Sequence, residues 1–337
     1  MDYDRHSRNR TFAARLKDCL RYSLLCAALA SFAGCGASVT PAGIAGADPH
    51  GSWMSAEAKA RSLLYVSDDA NGDVDVFTYP FGKLVGRLAG FLQPAGICTD
   101  AAGDVWIVDA ASSKLFEYGH GDKTPIATLS DPNASALLAC SVDPTTGNLA
   151  VTDFGNASGA GSILIYSDAK GNPSKYRNAQ LQAVYFCGYD DLGNLFVDGL
   201  DPNGAFEFLE LPRGSGVLQH ITLNGSIFFP GGVAWDGKYV TIGDQEYQGG
   251  HHSAIFQVAI SASLGSIVGV TSLDSSCDVL QYSIPKLGKG RRNPQGSKVV
   301  APDACLNAVA IYNYPAGGVP VKTLGNLEYP VGSAVSK

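Results

Sequence analysis

The chain has 337 residues, 45% of them hydrophobic and 16% charged, with 40 glycines and 17 prolines. Charge this sparse beside glycine this abundant argues against a helical domain and for a turn-rich all-β one. The formal net charge is −7, and residues 1–35 hold six basic and three acidic side chains; without them 18 basic stand against 28 acidic, a net of −10, which excludes a broad nucleic-acid footprint.

Taken in chain order, Arg5, Arg8, Arg10, Arg15, Lys17 and Arg21 precede the apolar run 22–34. That run is short for a membrane span, and its basic flank and small-residue end have the form of a signal peptide. The end, Phe32-Ala33-Gly34-Cys35, resembles the bacterial lipoprotein signal, although Phe32 stands where that pattern prefers Leu. The resemblance implies cleavage before Cys35 and lipidation of its sulfur. Residues 36–60 are Gly/Pro-rich and suit a flexible tether. The expected layout is a signal peptide over 1–35, a tether over 36–60 and a folded domain over 61–337, lipid-anchored in the bacterial envelope and facing periplasm or exterior. Ordinary secretion and a plain N-terminal membrane anchor are the alternatives.

From residue 63 onward a strand–Asp–turn–strand unit recurs. The Asp ending each second strand is Asp68, Asp109, Asp153, Asp198, Asp244 and Asp303, at intervals of 41, 44, 45, 46 and 59 residues. A unit too small to bury its own apolar face, repeated at that pitch, means a stacked or ring-closed fold. Residues 94–129 lay out one whole unit: PAGICTD, GDVWIVD, SSKLFEY and PIATLS, four short strands joined by tight turns. Four antiparallel strands per unit make a propeller blade. The domain begins on a second strand, LLYVSD, and ends on NLEYPVGSAVS, which matches the approach to an inner strand. The expected fold is therefore a six-bladed β-propeller whose C-terminal strand completes the first blade, with an insertion at 285–296 in blade six.

Once Cys19 and Cys26 leave with the signal peptide and Cys35 carries lipid, five cysteines remain. Cys140 and Cys187 share a register in successive repeats, and Cys277 and Cys305 flank the sixth, so Cys140–Cys187 and Cys277–Cys305 are the candidate disulfides. The bland alternative is that all are small buried hydrophobes.

The repeat motif, apolar–x–apolar–x–Asp followed by a Gly- or Asn-containing loop and an apolar strand, resembles the six-bladed NHL, gluconolactonase-like and TolB-like propeller superfamily over residues 61–337. Gluconolactonase-like members imply a central divalent cation held by Glu, Asn and Asp. Here the approaches to the inner strands read Pro94-Ala95-Gly96, Ala139-Cys140, Phe186-Cys187, Pro230-Gly231-Gly232 and Pro330-Val331-Gly332, and lack that set. Peptide-amidating lyases of related architecture imply zinc-binding histidines, but His120, His220, His251 and His252 do not occupy equivalent blade positions.

Six acidic side chains in repeat positions could collect Ca²⁺ or another hard cation. Equivalent copies argue instead for a structural repeat role, with each Asp accepting turn N–H bonds. No cofactor is expected, a divalent cation being the alternative. The loops after the second strands gather on one ring face, and the longer ones carry varied polar and aromatic groups. Asn156, Asp201, Asn203, Glu246, Tyr247, Gln248, His251 and His252 are the ligand-binding candidates. The leading functional expectation is a non-catalytic envelope module that binds an envelope protein, peptide or glycan. A metal-dependent hydrolase or lactonase and a structural envelope protein are the alternatives.

Overall fold

The computed structural model describes residues 51–156, 159–285 and 297–337. The stretch expected to be a signal peptide, Cys35, most of the expected tether and nearly all of the expected blade-six insertion lie outside the described residues.

Six sheets form a ring in which the inner strands of neighbouring blades pack on one another. Blade two is the simplest, with Pro94–Thr99 innermost, then Val105–Asp109, Lys114–Tyr118 and Pro125–Ser130. Its second strand is buried along its whole length, while its outermost strand is largely exposed. A second strand covered on both faces by adjacent blades needs a continuous apolar run, which VWIVD supplies, whereas the rim tolerates PIATLS. In blades two to five the turn from inner to second strand holds one glycine at positive φ: Gly103 (+93°), Gly147 (+77°), Gly193 (+86°) and Gly237 (+98°). L-residues with a Cβ rarely adopt that conformation.

The ring closes as expected. Pro330–Ser336 pairs antiparallel with Leu63–Asp68 and becomes the inner strand of blade one. His120 clasps this closure: Nδ1 lies 2.6 Å from Ser336 Oγ and Nε2 lies 3.0 Å from the Arg61 carbonyl.

Three blades depart from four strands. Trp53–Met54 pairs with Leu84–Ala89 and widens blade one, so strand structure reaches back into the stretch read as tether. Thr222–Leu223 adds a short parallel strand to the rim of blade five. Among the described residues blade six has three strands, Ser297–Asp303, Ala308–Tyr314 and Lys322–Leu324. Its inner segment pairs, among those residues, through isolated bridges, Val279 to Asp303 and Ser283 to Val300 within the blade and Gln281 to Gly332 of the closing strand.

Cys277 and Cys305 form one disulfide. Cys140, however, bonds Cys98 and not Cys187, which is buried and free. The reason is strand parity. Side chains at one register of successive inner strands point the same way around the ring, so Cys140 and Cys187 cannot meet. Ile97, in that register in blade two, packs with Leu63 and Val74 of blade one, and Cys187 packs with Ala150 and Ile163 of blade three. Cys140 thus faces blade two, where Cys98, one residue on from Ile97, points back toward it.

Candidate recognition face

The repeat aspartates are anchors of the loop face. Asp109 Oδ1 accepts from Gln93 N (2.7 Å), and Oδ2 accepts from Leu92 N (3.2 Å) and Ser112 Oγ (2.8 Å). Asp68 takes Tyr329 N (2.8 Å) and Glu328 N (2.9 Å), and Asp153 takes Ser135 N (2.9 Å) and Ala136 N (3.0 Å). Phe228 N and Phe229 N reach Asp244 at 3.0 Å each, and Cys277 N and Asp278 N reach Asp303 at 2.8 and 3.1 Å. In each of these five the backbone donors lie just ahead of the same blade's inner strand. Each carboxylate ties the end of the second strand to that approach segment and satisfies two N–H groups there.

Asp198 breaks the pattern. It is fully buried, its Oδ1 accepts from Phe186 N (2.8 Å), and its Oδ2 has no hydrogen-bond partner. The pairing register explains the difference. Pro94 lies opposite Asp109 across a bulge, but in blade four Val184 lies opposite Gly199. Asp198 therefore matches Val108, one residue inside the position held by the other five, and the six aspartates are not equivalent.

The ligand-binding candidates lie on blades three, four and five, which are consecutive. In blade three, paired strands Leu149–Asn156 and Gly159–Tyr166 extend the hairpin, and Asn156 donates to Ser135 Oγ (3.0 Å) near its tip. In blade four, Asp201 and Asn203 bond each other: Asp201 Oδ1 accepts from Asn203 N (2.7 Å) and Ala205 N (2.8 Å), and Oδ2 from Asn203 Nδ2 (3.1 Å). Slight burial pushes the Asp201 carboxyl up, but these bonds outweigh it and hold it below the usual carboxylate range. This pair shapes a turn and offers little free acceptor capacity.

Blade five carries the richest loop. The Tyr247 ring meets His252 edge-on at 5.4 Å and Phe256 at 5.8 Å, and Gln248 Nε2 donates to the Tyr247 hydroxyl (3.2 Å). Glu246 N donates to Asp244 Oδ1 (3.0 Å), so the anchor carboxylate also fixes the start of this loop. His251 is exposed.

Sequence reasoning missed what joins these loops. Phe154 follows Asp153, Tyr185 sits in the blade-four bulge, and Phe229 precedes the inner strand Pro230–Trp235 of blade five. Their rings meet edge-on, with Phe154–Tyr185 at 4.9 Å and Tyr185–Phe229 at 5.6 Å. Phe228 is 39% exposed beside the blade-five loop, where a Cβ on Gly249 would come within 3.7 Å of it. The available signal was the aromatic pair Tyr185-Phe186, standing where blades two and five have Ala95-Gly96 and Gly231-Gly232, together with the pair Phe228-Phe229 just ahead of the blade-five inner strand.

The axis holds a polar plug. Gln281, from the inner segment of blade six, accepts from Ile97 N (2.8 Å) through Oε1 and donates to the Cys140 carbonyl (3.2 Å) through Nε2. Its backbone takes up Val331 O and Ser333 N of the closing strand. One residue of blade six thus bonds blades two and three through its side chain and blade one through its backbone. The Glu/Asn/Asp set implied by gluconolactonase-like propellers does not assemble among the described residues. Gln281 is consumed by backbone groups, and the one carboxylate that leaves the anchor register, Asp198, is engaged by Phe186 N. The histidines do not converge either: His120 serves the closure and His220 lies 3.0 Å from Glu207 Oε2 in blade four.

The opposite face opens into an axial funnel of about 490 Å³, lined in part by Thr99, Asp100, Tyr189, Trp235 and Tyr282. At its rim Asp100, Asp104 and Glu117 bring one oxygen each within 4.8 Å of one another, an arrangement that could hold a divalent cation. Burial, then Asp104 and Asp100, pushes the Glu117 carboxyl up. A second grouping, Cys277, Asp278 and Cys305, has both sulfurs in a disulfide and offers no thiolate.

No protein family matches the chain, and no curated protein matches it. Solved structures do. A chain from the crystal structure of a nidogen/laminin complex is 12% identical, with a TM-score of 0.62 over 82% of this chain and 98% of that one. A protein of unknown function from Bacteroides caccae is 14% identical, with a TM-score of 0.58 over 82% of this chain and 99% of that one. At such identity the likeness shows the propeller fold and no activity.

Proposed function

We propose that this protein is an extracytoplasmic binding module, lipid-anchored through Cys35, that captures an envelope protein, peptide or glycan on the arc of loops over blades three to five. The observation that carries this reading is the aromatic cluster Phe154–Tyr185–Phe229, continued by exposed Phe228 and framed by the ordered Tyr247 loop. Aromatic groups beside orientable polar ones are what binding surfaces concentrate. The likeness to a propeller crystallised in a nidogen/laminin complex adds support, since that chain comes from an assembly of proteins. Within the propeller superfamilies the reading favours a non-catalytic member, because five of the six repeated carboxylates each accept two backbone N–H groups and the sixth, Asp198, is fully buried.

The test is capture of solubilised envelope material by the purified protein, with Phe228→Ser and Tyr247→Ala as variants. The reading predicts at least a tenfold loss of the captured partner with unchanged melting temperatures. Equal capture by both variants would remove the recognition face from consideration.

A second reading, a cation-dependent hydrolase, draws on Asp100, Asp104 and Glu117 at the funnel rim. Calcium titration of the wild type and Asp104→Asn separates the two. Stoichiometric binding lost in the variant, accompanied by ester or lactone turnover, would favour the hydrolase.

A further inference from the structure

Each of blades one to five has one second-strand position that lies opposite the inner-strand bulge: Ser67, Val108, Thr152, Asp198 and Gly243. Where it carries a hydroxyl, that group makes two bonds of the same kind. Ser67 Oγ accepts from Gly332 N (2.8 Å) in its own bulge and donates to the Ala95 carbonyl in the bulge of blade two. Thr152 Oγ1 accepts from Ala139 N (2.9 Å) in its own bulge and donates to the Tyr185 carbonyl (2.8 Å) in blade four. Each hydroxyl stitches one blade to the next.

Asp198 makes the first of these bonds, from Phe186 N, and leaves its second oxygen buried without a partner. The residue of blade five that corresponds to Ala95 and Tyr185 is Gly231, the first residue of that bulge. We propose that Asp198 is held as the neutral carboxylic acid, its Oδ2–H donated to the Gly231 carbonyl, so that it stitches blade four to blade five as Ser67 and Thr152 stitch theirs.

An ionised carboxylate would meet no compensating charge here. The ionisable groups facing Asp198 are Tyr185 and Cys187 of its own inner strand and Tyr282 of blade six, none of them a cation. Burial pushes the Asp198 carboxyl well above the usual range, against the lowering effect of the Phe186 N–H. The displaced register has its own cause. At Gly199, the anchor position of this blade, a Cβ would approach the Ala183 carbonyl to 2.1 Å, so no side chain fits there and the acid occurs one residue inward. Tyr185, the middle ring of the aromatic cluster, belongs to the bulge that Asp198 pins. The stitch stands whether or not the face above it binds a partner.

Two measurements on the whole protein test this. Infrared spectra at pH 8 should show a protonated-carboxyl C=O band that shifts on ¹³C-aspartate labelling and vanishes in Asp198→Asn. Urea unfolding should show a definite pH dependence. An unfolded Asp titrates near about 3.9. Above that pH the native state therefore holds one proton more than the unfolded state. Relative to Asp198→Asn, which keeps one acceptor and one donor, the wild-type folding constant should fall about tenfold per pH unit above about pH 4 until the native group ionises. Absence of the band, or a difference that is flat or rises with pH, would overturn the assignment. If Asp198→Asn fails to fold, the labelled wild-type band decides alone.

Discussion

Asp109 in blade two and Asp198 in blade four close the same apolar run and are both buried, yet their oxygens meet opposite surroundings. Asp109 faces three donors, two of them backbone N–H groups. Asp198 faces one donor and, by register, the carbonyl of the next blade. A one-residue difference in where the bulge falls turns one residue type from an anchor within a blade into a stitch between blades. What an aspartate does in a repeat protein is therefore set by backbone register as much as by its place in the motif.

The largest loss is expected at the anchor. Asp109→Ala strips the acceptor from Leu92 N, Gln93 N and Ser112 Oγ, and should cost roughly 2–4 kcal/mol in urea unfolding. A cost below about 0.5 kcal/mol would mean the approach segment does not need its anchor. Next comes the axis, where Gln281 resembles the stitches in joining blades through backbone groups. Gln281→Leu leaves Ile97 N and the Cys140 carbonyl unpaired and should cost roughly 1–3 kcal/mol by the same measurement.

Asp69 is the intermediate case. It is half-buried, with Gln93 Nε2 donating to Oδ2 at 3.3 Å. Burial pushes its carboxyl up to about 6, with Asp68 and Asp109 adding to the rise and the Gln93 bond opposing it. Because the folded-state value lies above the unfolded one, stability is full below about pH 4 and falls as pH rises toward 6. Against Asp69→Asn the wild type should lose about 1–2 kcal/mol across that window, after allowance for solvent screening of a partly exposed group. Unfolding curves at pH 4 and pH 7 for both proteins check it, and equal differences at the two values would contradict it.

Much of this architecture is legible in the chain because its signals are local. Continuous apolar second strands, glycine-centred turns and the split first blade each follow from a few neighbouring residues, and together they give the ring and its closure. The disulfide partner of Cys140 was also within reach, since side-chain parity along the inner strands excludes Cys187. Gln281 was harder to find, because the inner segment of blade six pairs through isolated bridges and carries no strand pattern. Least legible was Asp198. VWIVD and LFVDG differ by a shift that only pairing across the bulge reveals. The aromatic cluster spans Phe154, Tyr185 and Phe229, residues far apart in sequence that meet only once three blades stand side by side.

The most direct test of the two aspartate roles is the same isosteric change at both positions, Asp109→Asn and Asp198→Asn, compared by thermal melting at pH 7. At Asp109 the new amide turns an NH₂ toward donors, and stability should fall by roughly 1–3 kcal/mol. At Asp198 the amide reproduces one acceptor and one donor, and the melting temperature should hold or rise. Equal losses at the two sites, or a loss confined to Asp198→Asn, would contradict the account.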